Sequence, residues 1–284
     1  MDGFSRIFRP SSALAGIVEA IWNWEIPDGQ VARGAVSIAL PCAYPILSIH
    51  YGEPIWSDRQ RGSGYYRQMA TGIQTGVVTF RPSGSSGCVV VRLKPEAATR
   101  VIDSSISDFT NANIALEDVF GSGEMVSLQD RLKETRSSSK RIACVEAFLL
   151  RHLRHDRSNA IASYAASYLR RDPAQPVHML AERLQVSRRH LSRAFHSTFG
   201  VSPKQFARVV RIGKLLAARR RDGLSWADAA VACGFADQAH MINDFNALTG
   251  TSPEEFFRAP SLGPRRGFNA SLVESHFYNQ FFAS

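Results

Sequence analysis

An internal repeat near the C-terminal end constrains the fold more than any other feature of this sequence. When the 284-residue sequence is shifted by 50 residues, Ser187–Phe206 aligns with Asp237–Phe256 without a gap. Six of the twenty aligned positions are identical, among them Gly200 with Gly250, each followed two residues later by a Ser-Pro pair. Self-similarity at a period of about 20 to 50 residues indicates a duplicated supersecondary unit.

The first copy of the repeat has the pattern of two helices joined by a tight turn. The apolar residues that share the face of the first helix are Val177, Leu180, Ala181 and Leu184. Ser187 is expected to cap the second helix, because its hydroxyl can accept from the free N–H groups at a helix start. Gly200 is expected to end that helix, and Ser202-Pro203 to begin a third, since proline is tolerated in a first turn.

The second copy repeats this pattern. The apolar face of its first helix consists of Trp226, Ala229, Ala230 and Cys233. Gly234 is expected to make the turn, Asp237 to cap the next helix, and Gly250 to end it. A short helix, a turn and a second helix with an exposed polar face is the arrangement that places a recognition helix in the DNA major groove. A plain helical bundle with a solvated polar face is the alternative, which two units in register disfavour.

Positive charge is concentrated in the same region. Residues 157–259 contain fifteen Lys and Arg against eight Asp and Glu, a net charge of +7, whereas residues 1–156 carry +1. A locally basic domain attracts a polyanion such as DNA. On charge alone, a merely soluble basic face is the alternative.

The N-terminal half of the chain has a strand-like pattern. Its four short β-branched runs are Val36–Leu40, Ile46–Tyr51, Val77–Phe80 and Cys88–Leu93. Frequent Pro and Gly residues between them predict an antiparallel sandwich or barrel. From Leu116 onward the pattern is helical, and one apolar stripe consists of Ile142, Val145, Leu149 and Leu153. That helix is expected to cover the barrel, with pairing to its copy in a dimer as the alternative.

The residues of the two copies resemble the AraC/XylS family of transcriptional regulators. The strings that carry the resemblance are Leu180–Glu182, Ser187–Phe195, Phe199–Pro203, Gly234–His240, Phe245 and Leu248–Pro253. The resemblance covers about residues 158–258. It implies a sequence-specific DNA-binding transcriptional regulator whose two helix-turn-helix units are joined by a long helix.

The resemblance also implies which side chains contact bases. In the first recognition helix they are Arg189, Ser192 and Arg193, with Arg188 as a further exposed cation. In the second they are Gln238, Ala239, Ile242 and Asn243. Arginine can donate two hydrogen bonds to guanine, and glutamine or asparagine can pair with adenine in the same way.

Two further expectations concern phosphate contacts. The family often has a basic residue at the position of Asn243, and Asp244 follows it here, so the second helix is expected to hold phosphate more weakly. Lys214 and the arginines at 219–221, on or after the connecting helix, are weaker candidates for phosphate contacts, with solvated charge as the alternative.

The N-terminal part more loosely resembles a degenerate cupin-like domain found on some regulators of this family. The segments concerned are Trp22–Trp24, Pro41–Gly52 and Ile114–Gly121. In the wider family such a domain senses a small molecule, dimerises, or both. The resulting prediction is an α+β protein with three parts: a cupin-like sensor or dimerisation domain at 1–156, a double helix-turn-helix domain at 157–259, and an aromatic-rich tail at 260–284. The tail is expected to dock on its own chain or on a partner.

An enzymatic N-terminal domain is the main alternative function. Metal-binding cupins need several histidines and a carboxylate around one ion, but His50 is the one histidine before residue 152 and is expected to be a hydrogen-bonded strand residue. Pro41-Cys42 is similar to the alkyl-accepting cysteine of bifunctional DNA-repair regulators, yet no group that would activate the thiolate is visible. We therefore expect no catalytic residue, no metal and no cofactor. The aromatic residues that either line a ligand pocket or belong to the core are Trp22, Trp24, Tyr51, Trp56, Tyr65 and Tyr66.

The expected principal partner is double-stranded DNA. A small-molecule effector, RNA polymerase and a second copy of the chain in a homodimer are left open as further partners. No membrane partner is expected, because no stretch approaches the roughly 20 apolar residues of a membrane span. The four cysteines form no C-x-x-C pair and the first residues have no secretory pattern, so a cytoplasmic location is expected.

Overall fold

The computed structural model describes residues 5–26, 37–59, 61, 63–102, 105–222 and 224–258. A β-rich N-terminal unit, ending with the helix Ser138–Arg151, precedes a helical C-terminal unit that begins at Ala160. No helix within these ranges is long and apolar enough to cross a membrane. The expected docking of the tail 260–284 lies outside the described residues.

The strands of the N-terminal unit form two antiparallel sheets. They are β1 (Ser5–Phe8), β2 (Val18–Ile26), β3 (Ser37–Ala39), β4 (Ile46–His50), β5 (Ile55–Ser57), β6 (Gly64–Tyr66), β7 (Gln68–Thr71), β8 (Val78–Pro82), β9 (Ser86–Leu93) and β10 (Asn113–Ala115). One sheet has the order β1-β2-β9-β4-β7-β10 and the other β3-β8-β5-β6. The antiparallel β architecture predicted for this part is confirmed.

The four β-branched runs of the sequence correspond to β3, β4, β8 and β9, but no run was predicted for β1, β2, β5, β6, β7 or β10. β2 pairs with β9 along almost its whole length. Its residues alternate between the two faces, so Trp22 and Trp24 lie on one side and Asn23 on the other. That alternation is a strand signal, and the prediction omitted it by starting the β region at about residue 35.

Among the described residues, the α-helices of the N-terminal unit are α1 (Glu117–Phe120), α2 (Ser122–Glu134) and α3 (Ser138–Arg151). The apolar stripe of α3 is buried at Ile142, Val145 and Leu149, and the helix packs against β1, β2 and β9. The prediction that this helix covers the sheet is confirmed. Arg141 on the same helix forms an ion pair with Glu25 at the end of β2.

The helices of the C-terminal unit are α4 (Ala160–Arg171), α5 (Val177–Arg183), α6 (Arg188–Phe199), α7 (Pro203–Asp222), α8 (Trp226–Ala232), α9 (Gln238–Thr249) and α10 (Pro253–Arg258). The sequence patterns predicted α5 to α9 but not α4. Its buried face is made largely of alanine, Ala162, Ala165 and Ala166, with Leu169. The sequence of α4 separates apolar from polar positions at helical spacing, a signal that the prediction did not use, and its small buried side chains let α4 pack closely against α6 and α7.

The two units share one continuous hydrophobic cluster. A polar contact reinforces it, because Arg170 of α4 donates to both carboxylate oxygens of Glu96 in the N-terminal unit. Glu19 of β2 lies 3.6 Å from the same guanidinium. The helical unit is therefore packed onto the sheet unit and is not attached by the connecting segment alone.

A short segment between β9 and β10, residues 105–110, lies at this junction. It contains a 3₁₀ helix, Ile106–Phe109, whose two apolar ends are fully buried. The backbone N–H of Gly72, directly after β7, donates to the carbonyl oxygen of Phe109 at 3.1 Å. A Cβ atom at Gly72 would lie 2.6 Å from that oxygen, so only glycine permits the approach.

We predict that Gly72→Ala destabilises the protein by about 1–3 kcal/mol, because the added methyl group meets backbone atoms that have no room to move away. Urea denaturation of the full chain measures the change. The matched control is Gly76→Ala, whose Cβ would have no atom within 4 Å. Equal stability of the two variants would contradict the close approach.

Candidate nucleic-acid interface

The first helix-turn-helix unit is formed by α5 and α6. The turn between them contains Gln185 in the left-handed region, with φ of 54°. The Ser187 hydroxyl accepts from the backbone N–H of His190 at 3.1 Å, which caps α6 as predicted. Gly200 ends α6 with φ of 68°, a left-handed conformation that favours glycine.

The recognition helix α6 has a buried face and an exposed face. Leu191, Phe195 and Phe199 are fully buried against the rest of the chain. The predicted contact residues lie on the other side: Arg188, Arg189 and Arg193 are exposed and Ser192 is half-buried. The structure therefore brings three cations together on the N-terminal two turns of the helix, the part that reads bases in helix-turn-helix proteins.

The second unit repeats this construction with α8 and α9. Gly234 makes the turn with φ of 83°. The Asp237 carboxylate accepts from the backbone N–H of His240 at 2.7 Å and caps α9. Gly250 ends the helix with φ of 76°. Both predicted caps and both predicted terminating glycines are thus confirmed.

The exposed face of α9 carries neutral polar groups in place of the cations of α6. Gln238, Ala239 and Asn243 are exposed, and Ile242 is half-buried. The structure places all four predicted residues at the surface of one helix. Which of these side chains form hydrogen bonds with DNA bases remains a prediction.

Asp244 does not lie on this exposed face, which corrects the expectation that its charge weakens phosphate binding. Its side chain is 9% exposed and accepts from Arg208 at 2.7 Å and from Arg211 at 3.0 Å, both on α7. Arg211 also donates to the carbonyl of Pro173, before α5. The sequence pattern did not indicate this ion cluster, which fixes α9 on α7. Its charge is neutralised inside the domain, so it does not oppose DNA at the recognition face.

Lys214 is also not a free phosphate ligand in this structure. Its ammonium donates to the backbone carbonyl of Arg171 at 2.6 Å, which joins α7 to the end of α4. Partial burial lowers the pKa of this lysine. The side chains at 219–221 lie outside the described residues.

The groups considered for catalysis are buried. Desolvation lowers the pKa of His50 to about 4, so its ring is neutral. Its Nδ1 has no hydrogen-bond partner among the described residues. The prediction that His50 is a hydrogen-bonded strand residue is therefore wrong for this ring nitrogen. Cys42 is buried, and burial raises the pKa of its thiol, which disfavours a nucleophilic thiolate. In the part of the chain that the structure describes, no group of three or more His, Cys, Asp or Glu side chains could hold a metal ion.

The N-terminal aromatic residues do not converge on one pocket. Trp22 and Trp24 pack with Cys88 and Val90 in a small buried cluster on one face of the six-stranded sheet. Tyr51 lies toward the opposite face, where its hydroxyl donates to the side chain of Asn23 or Glu25, each at 2.8 Å. Tyr65 is 65% exposed. Trp22 and Trp24 are therefore core residues, whereas Trp56 is half-buried.

Fold and site together define a chain with a sheet-rich N-terminal unit and a double helix-turn-helix unit. Residues 180–259 match the family described as "Helix-turn-helix domain". Residues 6–115 match the family described as "Domain of unknown function (DUF6597)". The C-terminal unit is thus a helix-turn-helix domain.

One curated relative is the HTH-type transcriptional regulator CdhR of Pseudomonas aeruginosa, which is 33% identical over 76 residues. The match covers 27% of this chain and 23% of CdhR, so the chain spans much less than two thirds of that relative.

Among solved structures, an apo ToxT variant from Vibrio cholerae has the same overall fold. Its TM-score is 0.50 with 10% identity, over 85% of this chain and 97% of ToxT. The C-terminal domain of AraT, a response regulator from Geobacillus stearothermophilus, is 23% identical and covers 39% of this chain and 95% of that domain, with a TM-score of 0.36.

We predict that Asp244→Ala destabilises the protein by about 3 kcal/mol, near the lower end for removing one partner of a buried ion pair, because Arg208 is partly exposed. Urea denaturation measures the loss. Glu182→Ala, which removes an exposed carboxylate from α5, is the control and should change stability by less than about 0.5 kcal/mol. If Asp244→Ala and Glu182→Ala both lowered stability by a similarly small amount, the ion cluster around Asp244 would not be what holds α9 on α7.

Proposed function

We propose that this protein is a sequence-specific transcriptional regulator that binds double-stranded DNA through α6 and α9. The observation that carries the proposal is the pair of capped helices with exposed polar faces, joined by the single long helix α7. Its 20 residues span about 30 Å at 1.5 Å per residue. That length is close to the ~34 Å repeat of the major groove, so one chain can present both helices to successive grooves on one face of DNA.

The helices α6 and α9 have different roles in the proposed DNA binding. On α6, Arg188 supplies charge near phosphates, and Arg189, Ser192 and Arg193 suit base edges. On α9, the contact residues are Gln238, Ala239, Ile242 and Asn243, which add base readout with no formal charge. We infer that α6 provides most of the affinity and α9 selects sequence at the second half-site.

We further propose that residues 1–156 form a non-catalytic module that senses a small-molecule effector, followed by the DNA-binding domain at 157–259 and the tail at 260–284. Burial of Cys42 and His50 supports a non-enzymatic role. Cytoplasmic location, contact with RNA polymerase and homodimerisation are part of the same proposal. The competing function, a DNA-binding domain fused to an alkyl-accepting enzyme, lacks an accessible thiol at Cys42.

Selection of bound duplexes from random DNA by the full chain tests the proposed function. We expect one bipartite sequence to be enriched, with half-sites about one helical turn apart. Affinity for that duplex should fall at least about tenfold between 50 and 200 mM salt, because bound cations release counterions from phosphate. A folded chain that enriches no sequence would refute the proposal.

Single substitutions test the asymmetry between the helices. Arg193→Ala should weaken binding by about 1–3 kcal/mol and relax base choice in one half-site. Gln238→Ala should cost less and alter the other half-site. Repeating the selection with each variant measures both effects. Equal losses, or changes at the same bases, would contradict the division of roles and leave DNA binding itself intact.

A further inference from the structure

The last turn of the first recognition helix ends against the N-terminal unit. The four C-terminal carbonyls of a helix lack intrahelical donors and need partners from elsewhere. In α6 the carbonyl of His196 accepts from the N–H of Gly200. The other three are the carbonyls of Ser197, Thr198 and Phe199, and hydroxyl groups of segment 105–110 lie next to all of them.

Two side chains of that segment supply the donors. Ser105 Oγ lies 3.0 Å from the carbonyl oxygen of Ser197 and 3.3 Å from that of Thr198. Thr110 Oγ1 lies 2.7 Å from the carbonyl oxygen of Phe199 and 2.9 Å from that of Ile106 in its own segment, so its one proton is shared between two buried acceptors, of which Phe199 is the nearer. The N-terminal unit therefore provides the C-terminal cap of the helix that carries the three exposed arginines.

The internal repeat contains a natural comparison. Gly200 and Gly250 occupy equivalent positions with nearly the same φ. A Cβ atom at Gly200 would lie 2.8 Å from Cβ of Thr110, whereas one at Gly250 would have no atom within 4 Å. Among the described residues, the carbonyls after Asn246 in α9 receive no hydrogen bond from the N-terminal unit. The docking is thus a property of the first copy alone.

The other side of segment 105–110 is attached to the six-stranded sheet. The carbonyl of Phe109 accepts from Gly72 after β7, and Asn111 accepts from the N–H of Thr75 at 2.8 Å. One connection from the sheet to the helix thus runs through two adjacent residues, Phe109 and Thr110. A displacement of this edge of the sheet would move the end of α6 directly.

This contact leaves the reading surface free. Arg188, Arg189 and Arg193 occupy the first two turns of α6, and the capped carbonyls lie in its last turn. Because α6 is held at its C-terminal end, its direction is fixed, while its N-terminal turns remain exposed for contact with a DNA groove.

We propose that Thr110, a residue of the N-terminal unit, is a positioning residue for the first recognition helix and couples the sheet to base reading in one half-site. This inference rests on the proposed DNA-binding function. It deepens that function by naming the route through which the N-terminal unit reaches DNA, and it assigns that route to α6 and not to α9.

Two substitutions at Thr110 separate the hydroxyl group from its volume. Thr110→Val keeps the shape but removes the hydroxyl that the buried carbonyls of Phe199 and Ile106 share, and Thr110→Ser restores a hydroxyl. In the full chain without DNA, hydrogen exchange should become faster for α6 in the valine variant, with α9 unchanged. In the binding-site selection, the valine variant should lose roughly tenfold in preference at the half-site read by α6. The serine variant should retain most of the hydrogen-exchange protection of α6 and most of the preference at its half-site.

Gly200→Ala and Gly250→Ala form a matched pair for the same contact. Both place a methyl group on a left-handed residue, so they share the backbone strain, but only the first drives it into Thr110. We expect Gly200→Ala to loosen α6 in hydrogen exchange and to reduce selectivity at its half-site more than Gly250→Ala does at the other.

The outcomes distinguish this inference from the function on which it rests. Unchanged exchange in α6 for Thr110→Val, or equal effects of the two glycine variants, would overturn the positioning role even if the wild-type chain selects DNA normally. Faster exchange confined to α6 would support the mechanical coupling even if no DNA sequence is enriched, and in that case only the proposed function fails.

Discussion

The free carbonyl groups at the end of α6 are the constraint on which the arrangement of the two units depends. A helix terminus that is buried must find donors, because an unpaired buried carbonyl costs about 1–3 kcal/mol. Here the donors are Ser105 and Thr110, and Gly200 lets the backbones approach closely enough for them to reach. The shared hydrophobic cluster and the contact between Arg170 and Glu96 add to the same interface. The first recognition helix consequently belongs to the packing of both units.

The second recognition helix is held by a different kind of interaction. Asp244 on α9 pairs with Arg208 and Arg211 on α7, so the orientation of α9 is set within the C-terminal unit. The two copies of one duplicated unit therefore differ in how they are supported: hydroxyl caps from the sheet unit for α6, and a buried ion cluster for α9. This difference gives the N-terminal unit direct access to one helix while the other follows through α7.

Much of the site could be predicted from the sequence, because its determinants are local. Ser187 and Asp237 cap helices through groups three residues away, and Gly200 and Gly250 end them through their own backbone conformation. Helical periodicity then places Arg189, Arg193, Gln238 and Asn243 outward. Local signals were also present for β2, in its alternating faces, and for α4, in its apolar positions at helical spacing, but the prediction did not use them.

Sequence patterns alone predict the duplicated helix-turn-helix units, their caps and their exposed faces, since each of these depends on residues within one or two turns of each other. Residues whose partners are distant in the chain take their roles from the folded arrangement. Asp244 is an example: adjacent to Asn243 in sequence, it lies on a different face of α9 because successive helical residues are about 100° apart, and its two arginine partners are more than thirty positions away. Thr110 is another, because its bond to Phe199 spans 89 residues and no periodicity relates a hydroxyl in one unit to a carbonyl in the other.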